Sequence, residues 1–162
     1  MKTRIFTDDE RLKIIVEAVQ YCQRVRAMGM TVAGYDKTVR EAIYFVWTRR
    51  LGPKANSARY RSPAAVGLKW RSREIVYDHA VPYRFERMAL MDLTEVTPET
   101  VRLVLEKYDV CAIITQEEDA RLSAAGLKHS MPPDWDKIDP LARYKAVGIE
   151  IIDNPMAAAG KR

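Results

Sequence analysis

Val110-Cys111-Ala112-Ile113-Ile114-Thr115 is the stretch that decides the fold. An unbroken apolar run this short, rich in β-branched residues, predicts a strand in a buried position. Thr115 and Glu118 stand three residues apart directly after it. That spacing predicts a capping box, with a short helix running through Leu122 and stopping near Gly126. Upstream, residues 73–81 (REIVYDHAV) alternate, placing Ile75, Tyr77 and His79 on one face of an extended segment and Val76 and Asp78 on the other. Pro82 limits its continuation. Residues 75–82 and 110–115 are therefore expected to pair. The expected fold class is α+β: a mostly helical domain carrying a small strand pair and a following short helix.

Further out, helical signals dominate. Thr7 with Glu10 forms a second capping box, and Leu12, Ile15, Val16, Val19 and Cys22 recur at helical spacing, predicting a first helix to about Met28. Asp36 is expected to cap a second helix with an inner stripe of Val39, Ile43, Val46 and Trp47, and these two helices are expected to pair. Leu51-Gly52-Pro53 ends the second helix, and the Gly, Pro, Ser, Ala and Arg that follow predict an irregular basic loop. Residues 83–91 read as helical, and Thr97-Pro98 supplies a cap and an N1 proline for another helix. A small helix is expected around Leu141 to Val147. At 162 residues the chain suits one domain, 1–162, divided into an N-terminal helical pair (1–51), a basic loop (52–74), a strand-strand-helix region (75–126) and a C-terminal segment (127–162).

Charge is unevenly placed. The chain carries 27 Lys and Arg against 22 Asp and Glu. Between Ala42 and Arg73 there is no acidic residue, while Arg49, Arg50, Lys54, Arg59, Arg61, Lys69, Arg71 and Arg73 all fall there, so the rest of the chain is net acidic. A localised field of this kind holds a polyanion. Tyr60 between Arg59 and Arg61, and Trp70 between Lys69 and Arg71, add aromatic faces suited to stacking on bases. Trp47 reads as core, and Trp135 as an anchor for the C-terminal segment.

Other classes find little support. Cys22 and Cys111 lie in apolar runs and read as small buried hydrophobes, not a disulfide or a metal knuckle. There is no local zinc-ligand spacing and no glycine-rich phosphate cradle. The connection between the first two helices is long for a helix-turn-helix. The N-terminal residues lack the apolar core of a signal peptide and no apolar run is long enough to span a bilayer, so the expected location is cytoplasmic, without a membrane partner.

Asp78 and His79, followed by Pro82, then VCAIIT and the capped helix QEEDARLSA, resemble the His-Asn-His, or ββα-metal, nuclease family over residues 73 to 124. That resemblance implies a divalent cation, Mg2+ or Mn2+, held by Asp78 and by Asp119 on the helix, with Ser123 one turn later. His79 would activate water as the base, and Arg73 or Arg71 would clamp the phosphate. The chain departs from the family pattern in three ways. Cys111 or Ala112 stands near the place of the middle Asn, Asp119 replaces the helix His, and the insertion between the two strands is long. The implied function is metal-dependent phosphodiester hydrolysis of nucleic acid, DNA before RNA. Two alternatives need no catalysis: a nucleic-acid-binding protein using Arg49, Arg50, Lys54, Arg59, Tyr60, Arg61, Lys69, Trp70 and Arg71, or an accessory protein of a phage or defence system whose basic face meets a protein partner.

Overall fold

Thr7 opens the first helix as its capping box predicts, its hydroxyl accepting from Glu10 N–H at 3.2 Å while the Glu10 carboxylate accepts from Thr7 N–H at 2.9 Å. The computed structural model describes residues 5–70 and 72–157. Helix α1 (Asp8–Ala27) buries Leu12, Ile15, Val16, Val19 and Cys22, the stripe its spacing selects. Helix α2 (Val32–Ala42) packs on α1. Its cap differs from expectation: Thr31 occupies the N-cap position, and Asp36 lies inside the helix, where it accepts from Arg87 Nη1 at 2.6 Å. A long-range cation thus claims the carboxylate that local chemistry would assign to capping. A π-helical turn (Ile43–Trp47) and a 3-10 turn (Thr48–Leu51) continue the helix. Tyr35, Val39, Ile43 and Trp47 are buried, and Val46 is half-buried.

The chain divides into two units. The first runs to Arg50 and takes in Arg87–Glu106. The second comprises Leu51–Glu86 and resumes at Lys107. Helices α4 (Tyr83–Met91) and α5 (Pro98–Tyr108) each cross a boundary between them. Between α2 and α4 come a short helix α3 (Lys54–Ser57) and strands β1 (Tyr60–Arg61) and β2 (Ile75–His79). After α5 come strand β3 (Cys111–Thr115), helices α6 (Gln116–Ala124) and α7 (Ala142–Ala146), and strand β4 (Ile152–Asp153).

The second unit is built on a four-stranded sheet in the order β2-β3-β1-β4. The expected pair forms: β2 runs antiparallel to β3 with Ile75 opposite Thr115, Tyr77 opposite Ile113 and His79 opposite Cys111. Strand β3 also pairs in parallel with β1, so its apolar sequence is that of an inner strand with both faces covered. On one face Ala112 and Ile114 join Ala80, Val110, Leu122, Tyr144 and Ile149, with Val76 packed against them. On the other, Cys111 and Ile113 join Ile75, Ala58 and Ala65, with Tyr77, Leu68 and Trp70 against them. Each isoleucine removed from water on β3 contributes about 1.5–3 kcal/mol.

The basic segment is more ordered than its composition predicts. Tyr60 and Arg61 form β1, pairing with Ala112 and Ile113 of β3 and with Asp153 and Ile152 of β4, and α3 and a 3-10 turn (Pro63–Ala65) flank it. Helix α6 starts at the Thr115–Glu118 capping box. It ends in a Schellman turn in which Leu127 N–H donates to Leu122 O (2.8 Å) and Gly126 N–H to Ser123 O (3.0 Å). Gly126 has φ +71°, a conformation that favours glycine.

Candidate functional site

His79 ends β2, and the antiparallel register sets it directly across from Cys111, the first residue of β3. Residues i and i+2 of a strand share a face, so Tyr77 and His79 point to the same side of the sheet, with Asp78 on the other. Cys111 Sγ lies 3.7 Å from His79 Nδ1 and 4.0 Å from Asp109 Oδ1. One donor atom each from His79, Asp109 and Cys111 can be chosen so that all lie within 4.8 Å of one another, a spacing compatible with a shared metal ion. Cys111 is buried, while His79 and Asp109 are half-buried.

This cluster occupies the sheet face against which the basic segment packs. Ser57 Oγ is 3.2 Å from the Tyr77 hydroxyl, and Lys54 Nζ stands 5.3 Å from the Tyr77 ring centroid. Trp70 meets Tyr77 edge to face at 6.1 Å, and the His79 ring lies 6.3 Å from both Tyr77 and Tyr83. Burial pushes the Tyr77 phenol well above its ordinary range, so it stays a neutral hydrogen-bonding group. Burial also pushes the Cys111 thiol upward, reinforced by the negative charge of Asp109.

Glu86, in the first turns of α4, is 1% exposed, and among the described residues neither carboxylate oxygen has a hydrogen-bond partner. A buried carboxylate without a partner is costly in its charged form. Burial, followed by the charge of Asp109, raises its pKa well above the carboxylate range. Glu86, when ionised, would add to the upward push on the Cys111 thiol.

The residues expected at a nuclease centre are distributed differently. Asp78 is on the face opposite His79, where its carboxylate accepts from the Tyr144 hydroxyl at 2.7 Å and from the buried Arg143 guanidinium. Asp119 is in the first turn of α6, ion-paired to Lys128 at 2.9 Å. Among the described residues neither belongs to the metal-spaced group. Ser123 Oγ donates back to Asp119 O at 2.9 Å. Arg73 is exposed just ahead of β2.

Of the expected nucleic-acid contacts, Arg49, Arg59 and Lys69 are exposed, and Lys54, Tyr60 and Trp70 are half-buried. Arg50 lies with its guanidinium carbon 3.6 Å from the centroid of the Trp47 ring and donates to Trp47 O at 2.9 Å. Arg61 is 3% exposed and donates to Ala65 O at 3.1 Å. Being a strand residue paired on both edges, it is not a surface cation. Arg71 lies outside the described residues.

Three residues the sequence did not single out shape this region. Asp109 was hidden in the turn between α5 and β3, and Glu86 in a helix where one acid among exposed-looking neighbours gives no signal. Arg143 reads as the polar face of a short helix, yet it is 1% exposed and donates to Ala80 O (2.9 Å), Leu127 O (2.9 Å) and Lys128 O (3.1 Å) as well as Asp78. Compared with protein-family models, curated proteins and solved structures, the chain matches none. Among the described residues no helix is long and apolar enough to cross a membrane.

Proposed function

We propose that the chain binds nucleic acid, DNA before RNA, through its acid-free basic segment, and does so without cutting it. The observation that carries this reading is the segment from Ala42 to Arg73, which holds no acidic residue and within the second unit presents exposed Arg59, Lys69 and Arg73 with half-buried Lys54. Cations of one sign, without interspersed carboxylates, release counterions from a phosphate backbone when they bind it. Arg59 lies beside the Tyr60 ring at 5.0 Å and Trp70 is half-buried near Lys69, so phosphate contact and ring stacking are available within one segment.

Phosphodiester hydrolysis is the second reading, favoured by the metal-compatible spacing of His79, Asp109 and Cys111. It ranks lower because Asp78 and Asp119, the carboxylates a hard cation would need, are each engaged by a cation of the chain. A thiolate with an imidazole also suits Zn2+ better than Mg2+ or Mn2+.

The deciding experiment incubates supercoiled plasmid and labelled single- and double-stranded oligonucleotides with purified protein in EDTA, Mg2+, Mn2+ or Zn2+. Salt-sensitive binding without cleavage supports the first reading. Metal-dependent cutting that is lost in His79→Ala would replace it with the second. Neither binding nor cutting would overturn both and leave an acidic protein as the partner to seek.

A further inference from the structure

We propose that His79, Asp109 and Cys111 form a binding site for a borderline divalent cation of the Zn2+ class, completed by the carboxylate of Glu86, and that its role is structural. The inference is independent of nucleic-acid binding. A tetrahedral ion with bonds of about 2.3 Å to sulfur and about 2.0 Å to nitrogen separates those two ligands by roughly 3.5 Å. The Cys111 Sγ to His79 Nδ1 distance of 3.7 Å is close to that separation, Sγ to Asp109 Oδ1 is 4.0 Å, and all three donor atoms lie within 4.8 Å of one another, so side-chain adjustment would bring them onto one ion.

The donors are also of the right kind. Thiolate and imidazole together select Zn2+ over the hard cations Mg2+ and Ca2+, and a carboxylate is an accepted third or fourth ligand. Nothing in the sequence spacing announces the site because the ligands come from three places: the end of β2, the start of α4, and the approach to and first residue of β3.

Glu86 supplies the second, independent observation. Its two carboxylate oxygens are buried and have no hydrogen-bond partner among the described residues, and the charge of Asp109 acts on it. Buried polar groups in folded chains are almost always satisfied, so a buried carboxylate without a partner among the described residues, electrostatically linked to Asp109 and Cys111, suits a cationic partner. With Cys111 and Glu86 both buried, a four-ligand arrangement leaves no position for substrate. This is the form of a structural centre.

The test uses full-length protein freed of metal by chelation and titrated with Co2+ and Zn2+. One equivalent of Co2+ is expected to bind, with a sulfur-to-cobalt charge-transfer band in the near ultraviolet and tetrahedral d–d bands that Zn2+ displaces. X-ray absorption at the zinc edge of the unmutated protein is expected to show one sulfur among nitrogen and oxygen ligands. Cys111→Ser should abolish the charge-transfer band, whereas Cys22→Ser should keep it. Glu86→Gln should weaken Zn2+ binding about 10-fold or more. Absence of stoichiometric binding, a zinc shell without sulfur, or a band that survives in Cys111→Ser would overturn the proposal. The absorption measurement requires no variant, so misfolding of a mutant cannot decide the outcome.

Discussion

Cys111 Sγ faces His79 Nδ1 at 3.7 Å because the β2–β3 register makes the two residues direct cross-strand neighbours. In the metal-free protein this thiol is buried, and burial together with the Asp109 charge keeps it protonated. Native, metal-free protein at neutral pH should therefore alkylate slowly at Cys111, and at the equally buried Cys22, with both reacting promptly after denaturation. Rapid labelling of Cys111 in the folded state, followed by mass spectrometry, would contradict this burial.

Glu86 should make the metal-free protein less stable as pH rises. Its folded pKa is raised above the value of about 4.3 for an unfolded glutamate, so its contribution is complete below that unfolded value and is lost as pH climbs through the folded one. Glu86→Gln mimics the protonated side chain and should escape that loss. Urea unfolding in EDTA should show the variant gaining on the parent between acid and alkaline pH. A difference between the two that does not change with pH would count against a buried, protonated Glu86.

Arg143 is a charged hub inside the second unit. Its guanidinium meets the Asp78 carboxylate and the carbonyls of Ala80, Leu127 and Lys128. Arg143→Met keeps much of the volume but strands those acceptors, and breaking a buried pair from one side costs about 3–5 kcal/mol. Denaturant unfolding should show a loss of this order. If Asp78→Asn in the Arg143→Met background recovers nothing, the charge pair is not the main contributor.

Ser62 joins the basic segment to α6. Its hydroxyl donates to Glu118 Oε2 at 2.6 Å, the same oxygen that accepts from Thr115 N–H at 2.8 Å in the capping box. Both residues are buried, so Ser62→Ala should cost about 1.5–3 kcal/mol as a lost hydrogen bond to a charged group. An unfolding curve superimposable on the parent would remove this link.

The parts of this fold written in local chemistry were legible. The Thr7–Glu10 and Thr115–Glu118 boxes set two helix starts, and the apolar run at Cys111–Ile114 marked a buried strand, though not its inner place between β2 and β1. What escaped was decided by distant partners. Asp36 looks like a cap until Arg87 takes it, and Tyr60-Arg61 carries no strand pattern because its two residues are ordered by β3 and β4 on either side. The site shows the same division. His79 stood out as one of only two histidines, while Asp109 and Glu86 acquire meaning only when the β2–β3 pairing and the start of α4 bring them to Cys111. Cys111 was readable as buried but not as a ligand, because its neighbours in space lie far away in sequence or in a turn.

Binding of DNA through the exposed cations of the basic segment would show itself in its salt dependence. The affinity of a labelled duplex should be measured by fluorescence anisotropy across a range of salt for the parent and for Lys69→Gln/Arg73→Gln. A linear fall of log K with log salt is expected, with a slope shallower by about 2 in the double variant, about one per phosphate contact removed. Binding that is insensitive to salt, or a slope unchanged when both exposed cations are gone, would contradict this mode of binding.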